Sequence, residues 1–228
     1  RFVAMGRDFG ELKLSAENKA GVWLSKFNVQ NEDGSLSGDA RWKPDASAPD
    51  TAVDFKLKAR SIEKFLDRMG YANAVRRGNA TLEGQLSWNG APYALDYPSL
   101  NGHLKIDARD GQFRKLEPGV GRLLGVISLQ SLPRRVTLDF RDVFSEGFAF
   151  DAIEGSARVS RGILETDDLE IRGPAAQVAM KGSVDLSHET QNLTVRIQPA
   201  FGETVATGML LINPVTGIAT WAVNKLFG

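Results

Sequence analysis

The sequence predicts a mainly β protein, one long antiparallel sheet with an apolar and a polar face, accompanied by a few amphipathic helices. Three observations predict it. Apolar residues recur at every second position in many short runs, Asp-Gly and Asn-Gly pairs separate those runs, and only three segments carry a helical period instead.

The alternation is clearest at Val136, Leu138 and Phe140, at Phe148 and Phe150, at Val178 and Met180, and at Leu193, Val195 and Ile197. Residues two apart share a face of a strand, so each run buries one face and wets the other. Asp33-Gly34, Asn89-Gly90, Asn101-Gly102, Asp110-Gly111 and Arg161-Gly162 read as hairpin turns, because these residues accept the positive φ of tight primed turns. An apolar-x-Gly motif recurs at Leu36-Ser37-Gly38, Leu82-Glu83-Gly84, Leu100-Asn101-Gly102 and Ile153-Glu154-Gly155, where it is expected to open a strand. Its spacing is uneven, which makes it a hairpin style and not a solenoid repeat.

Three helices are expected, near 61–70, 119–131 and 213–227. The first has Ser61 as N-cap, an apolar stripe at Ile62, Phe65, Leu66 and Met69, and Gly70 as its stop. The second follows Pro118, carries Val120, Leu123, Leu124 and Ile127, and ends before Pro133. The third starts at Asn213-Pro214 and is apolar nearly all round, with Val215, Ile218, Trp221, Leu226 and Phe227. Its roughly fifteen residues reach about 22 Å, short of the ~30 Å hydrocarbon core of a bilayer, so it is expected to be buried or interfacial rather than spanning.

The totals narrow the function. Lys+Arg and Asp+Glu are both 28 of 228 residues, which leaves no broad positive field for a phosphate backbone and argues against nucleic acid. With no cysteine there is no disulfide framework, thiolate metal site or cysteine nucleophile. The opening Arg1-Phe2-Val3 carries neither an initiator methionine nor a signal peptide and reads as a piece of a longer chain.

Catalytic and metal-binding motifs are missing. His103 and His188 have no partner at ligand spacing, and Glu165, Asp167, Asp168 and Glu170 read as the wet rim of a strand. No phosphate-cradling loop, nucleophile elbow or dinucleotide fingerprint is present. Lys56, Lys58 and Arg60 alternate with Phe55, Leu57 and Ala59 as the polar face of a strand. No enzyme activity, cofactor or metal is expected.

A long sheet with one apolar face must bury that face against something. Three helices are few for about a dozen strands, so either the sheet closes into a sandwich core or part of its apolar face stays free as a trough. Such a trough suits an acyl chain, which loses about 0.8 kcal/mol per CH₂ left in water.

The stretch from Leu123-Leu124-Gly125 through Pro133-Arg134-Arg135 to Phe148-Ala149-Phe150 resembles the C-terminal region of the YhdP-type AsmA-like proteins of Gram-negative bacteria. The similarity continues through Arg172-Gly173-Pro174, Gly182-Ser183-Val184-Asp185-Leu186, Thr190-Gln191-Asn192-Leu193 and Ile212-Asn213-Pro214-Val215. It implies a β-taco-like groove, with residues 1–228 as a single elongated C-terminal domain of a longer protein. It also implies a periplasmic bridge, anchored in the inner membrane and reaching the outer one, that moves phospholipid between them.

On that resemblance, Phe65, Leu66, Met69, Leu123, Leu124, Ile127, Leu138, Phe140, Phe148, Phe150, Val178, Met180, Val195 and Ile197 are expected to meet phospholipid acyl chains. Val215, Ile218, Trp221, Leu226 and Phe227 are expected nearest a membrane. Envelope proteins are possible partners. The alternative is an assembly scaffold for outer-membrane biogenesis that binds partner strands along a sheet edge.

Overall fold

The computed structural model describes residues 1–4, 6–44, 49–114 and 147–200, together with the backbone of 210–215 and 218–221. Among them thirteen strands form a single antiparallel sheet in which every strand pairs with its neighbour in sequence. The strands are β1 (Phe2–Ala4), β2 (Arg7–Lys19), β3 (Val22–Gln30), β4 (Gly34–Lys43), β5 (Asp50–Ala59), β6 (Val75–Asn89) and β7 (Asn101–Phe113). They continue as β8 (Phe148–Ser160), β9 (Ile163–Arg172), β10 (Ala176–Asp185), β11 (Thr190–Pro199), β12 (Leu210–Val215) and β13 (Ile218–Trp221). The order is linear and the sheet stays open, so the mainly β expectation holds and the closed alternative does not.

The turns follow the residues only in part. Arg161-Gly162 closes the β8–β9 hairpin with φ of 49° and 75°, and Ala20-Gly21 closes β2–β3 with 51° and 82°, both left-handed pairs as a primed turn requires. Asn101-Gly102 and Asp110-Gly111, by contrast, are not turns and lie inside β7. Arg77 and Gly78 of β6 and Asp110 of β7 take left-handed φ of 57°, 80° and 56° at one level of the sheet, which makes that pair a kink.

Helix α1 (Ile62–Met69) sits over this kink. Ser61 caps it by accepting a hydrogen bond from Lys64 N at 3.3 Å, and Gly70 ends it at φ 93°, as the sequence predicts. Ile62 is buried and Leu66 packs beside it, against Val75, Ala108, Phe148 and Phe150. The helix also reaches β2, where Arg68 Nη1 donates to Asp8 O at 2.7 Å and Arg7 Nη1 donates to Arg68 O at 3.1 Å. Eight residues of helix are about 12 Å long, whereas four strand spacings from β2 to β6 measure about 19 Å on a flat sheet. The extended side chains of Arg68 and Arg7 make up the difference, so the helix straps β6 to β2 across the strands between them.

The third expected helix is a correction. Residues 213–215 belong to β12 and 218–221 to β13, which pair with each other, while Ile212 pairs with Val195 of β11. β-branched and aromatic residues (Ile212, Val215, Ile218, Thr220, Trp221) favour the pleated surface over a helix once β11 offers an edge. The expected 119–131 helix lies outside the described residues, as do positions 222–228.

The Arg68 guanidinium donates to Asp33 Oδ2 through Nε at 3.1 Å and through Nη2, and Asp33 is only 3% exposed. Removing the cation strands a buried carboxylate. Arg68→Ala is expected to cost about 3 kcal/mol or more in urea denaturation, and Phe150→Ala, at the 2% exposed centre of the packing, about 3–5 kcal/mol.

Candidate functional site: the inner face of the curled sheet

Residues paired across strands share a face, so the registers define the inner face row by row. One row is Trp23, Trp42, Thr51 and Trp88. The next is Ala16, Ser25, Ala40, Val53, Leu86 and Gly102. A third is Leu14, Phe27, Gly38, Phe55, Gly84 and Leu104, and a fourth is Leu12, Val29, Leu36, Leu57, Leu82 and Ile106. Each row runs across the strands and therefore along the trough.

The two ends of the strands are closed differently. Beside α1, Phe148, Phe150, Ile171, Val178, Met180 and Ile197 pack into a buried cluster with Ile62. At the other ends, Trp88, Leu100 and Val159 form a smaller one. Between them Phe27, Phe55, Leu57, Leu82, Leu104 and Ile106 are only half-buried, while Leu14 is 61% and Trp23 40% exposed. A large apolar face is thus left without a protein cover among the described residues.

Over the small-residue row the face hollows into a depression of about 910 Å³. Its lining takes residues 15–17, 24–26, 39–41, 52–54 and 85–87, triplets centred on the inward Ala16, Ser25, Ala40, Val53 and Leu86. The short side chains there leave the flanking backbone accessible from inside. From β2 to β7 the row crosses five strand spacings, about 24 Å, longer than the ~15 Å half-thickness of a bilayer core. The apolar-x-Gly motif contributes to this relief. Leu36 and Gly38, like Leu82 and Gly84, lie two apart on the inner face, so a bulky row adjoins a gapped one in which Phe27 leans over Gly38.

The outer face is charged and internally matched. Lys56 pairs with Glu83 at 2.7 Å, and Arg172 holds Glu170 at 2.9 Å and Glu154 at 2.5 Å, while Arg109 joins Asp107 at 2.6 Å and also meets Glu154. Hydrogen bonds from Arg172 and Arg109 hold the Glu154 carboxyl below its usual range, and Lys56 does the same for Glu83. Asp168 accepts from Ser156 N at 2.7 Å and Ser156 Oγ at 2.8 Å, supporting the register shift between β8 and β9 and lowering its own pKa. These acidic side chains serve the sheet. Among the described residues no group of carboxylates and imidazoles is placed to hold a metal ion.

The structure distributes the expected site residues unevenly. Phe148, Phe150, Val178, Met180 and Ile197 are buried, Val195 and Leu66 pack against them, Phe65 is half-buried and Met69 is 41% exposed. Leu123, Leu124, Ile127, Leu138, Phe140, Leu226 and Phe227 lie outside the described residues. Val215, Ile218 and Trp221 have their backbones in β12 and β13. The open part of the trough is built from the first hundred or so residues, of which sequence reading named only the α1 positions Phe65, Leu66 and Met69 as lipid-facing. Its signal is a lack of bulk at Ala16, Ser25 and Ala40, visible only once the registers align them.

The YhdP protein family matches residues 1–228. The intermembrane phospholipid transporter YhdP of Escherichia coli (strain K12) is 31% identical over 195 residues, which cover 85% of this chain and 15% of that protein. The chain thus spans a small part of that relative's length. No solved structure matches.

The depressed carboxylates fix a pH dependence. Glu154, Glu83, Asp107 and Asp168 each ionise more readily in the folded chain, so their contribution is complete above the unfolded carboxylate range and lost as pH falls through the lower folded values. The melting temperature is expected to hold above about pH 5 and fall below about pH 4, with Glu154→Gln shallowing the fall, measured by scanning fluorimetry across pH.

Proposed function

This chain belongs to the YhdP family, and we propose that its trough holds the acyl chains of phospholipid as one segment of a route between the two membranes of a Gram-negative envelope. The observation that carries this reading is the uncovered apolar inner face. A closed sandwich leaves no such surface, and monomeric proteins rarely expose a continuous apolar area without a use for it.

The division of the two faces supports it. Outside, the charges pair among themselves; inside, Phe27, Phe55, Leu82 and Ile106 present a surface with no polar group suited to catalysis. An acyl chain laid along the rows exchanges water for hydrocarbon at about 0.8 kcal/mol per CH₂ without needing directional contacts, so it can slide. This is the behaviour of a conduit, and the chain acts in it as a carrier and not as a catalyst. Its place is the periplasm, within a longer protein anchored in the inner membrane.

The closed side has a supporting role. Phe148, Phe150, Val178, Met180, Val195 and Ile197 form the wall against which the chain lies, and α1, through Phe65, Leu66 and Met69, shuts that flank. The scaffold reading makes the opposite prediction, a stable protein that carries nothing.

Native mass spectrometry with lipid extraction on protein prepared from an envelope without detergent separates the two. Bound phospholipid is expected on the unmodified chain. Ala40→Trp, which fills the depression without touching the buried clusters, is expected to remove most of it while leaving the urea midpoint nearly unchanged. A stable chain free of lipid would favour the scaffold.

A further inference from the structure

The two lips of the trough are chemically different. On the α1 side the helix packs on an apolar cluster, from Ile62 to Phe148; Arg68 is engaged by Asp33, and Arg114 binds Glu63 through Nη2 while its Nε has no partner among the described residues. The opposite lip is aromatic. Trp23 and Trp42 are direct cross-strand partners, Trp42 pairs with Thr51, and Thr51 pairs with Trp88.

Beyond Trp88 the chain makes a loop that carries Tyr93, 88% exposed, and the exposed Leu95 and Tyr97. That loop is well tied. Trp88 Nε1 donates to Ala91 O at 3.1 Å, Asn89 N donates to Ser99 Oγ at 2.8 Å, and Asp96 accepts from Ser99 N at 3.2 Å. Its aromatic side chains are therefore held outward by a fixed backbone. Rings with an apolar body and a polar tip settle where hydrocarbon meets water.

One donor on this lip is unused. Trp42 Nε1 is buried and has no hydrogen-bond partner among the described residues, whereas buried indole N–H groups ordinarily find one. Trp42 lies two residues from Ala40 on the same face, in the row next to the small-residue row.

We propose that this lip seats the glycerol and head-group end of a diacyl glycerophospholipid, with Trp42 Nε1 donating to an ester carbonyl oxygen and the acyl chain lying along the adjoining row. The inference rests on the lipid reading above and adds an orientation to it: heads leave the trough on the aromatic side. On the α1 flank a head group would meet the buried cluster around Ile62 and Leu66, and the Arg114 guanidinium there is already held by Glu63 and Asn73.

The test uses the 228-residue chain with Trp88→Phe and Trp221→Phe, leaving Trp23 and Trp42 to emit. It is loaded with phosphatidylcholine bearing a nitroxide either on the head group or near the end of an acyl chain. The head-group label is expected to cause the larger loss of emission. Stronger quenching from the chain-end label would overturn the orientation while leaving the lipid reading standing, and no quenching from either would remove both.

The donor is tested separately. The chain should bind a diester phosphatidylcholine about three- to tenfold more tightly than its diether analogue, and Trp42→Phe should erase that difference. A difference that survives the substitution, or that never existed, contradicts the role given to Nε1.

Discussion

The strap made by α1 is the constraint on which the rest of this structure depends. An open sheet of this breadth has no intrinsic reason to keep its apolar face away from water, and its right-handed twist alone would leave that face splayed. The helix grips β6 through Ile62 and Leu66 and β2 through Arg68, whose guanidinium is shared by Asp33 and the Asp8 carbonyl. The helix thereby ties together two strands four places apart across the open face of the sheet. The kink at Arg77, Gly78 and Asp110 seats the helix; a β-carbon on Gly78 would come within 3.1 Å of Ile62.

Curling then gives each side of the pleat one task. The outer side carries charges whose partners stand on neighbouring strands, so it is soluble without a net field, in keeping with 28 cationic and 28 anionic side chains. The inner side has no such matching. It is graded from aromatic at one lip, through small, to bulky and finally to close-packed beside α1, and a chain of methylenes fits that gradient better than any compact polar ligand would. The gradient and the family to which the chain belongs both support the cargo proposed above.

Much of the fold was legible in the residues. Period-two alternation gave the strands, Ser61 and Gly70 bounded α1 correctly, and Arg161-Gly162 marked a true hairpin. Where local signals misled, a neighbouring strand had overridden them. Asp110-Gly111 has the chemistry of a turn, but β6 and β8 pair with both sides of it and leave only a kink. Asn213-Pro214 looks like a helix start, but an almost uniformly apolar segment has no period to separate helix from strand, and pairing with β11 decides. The open site was the least legible part. Ala16, Ser25, Ala40, Val53 and Leu86 are unremarkable one by one and form a channel floor only through four successive registers. The buried phenylalanines, which do stand out in a sequence, belong to the close-packed cluster beside α1.

The central claim is that lipid lies against the inner face and nowhere else on the sheet. Positions 39 and 40 are adjacent in β4, with Asp39 outward and Ala40 inward, so they probe the two faces at one point along the trough. The most direct measurement places a photoreactive benzophenone side chain at each position in turn, irradiates the protein in intact envelopes and reads covalent lipid by mass spectrometry. Phospholipid adducts from position 40 and none from position 39 are the predicted result. Adducts from both positions, or from position 39 alone, would contradict it.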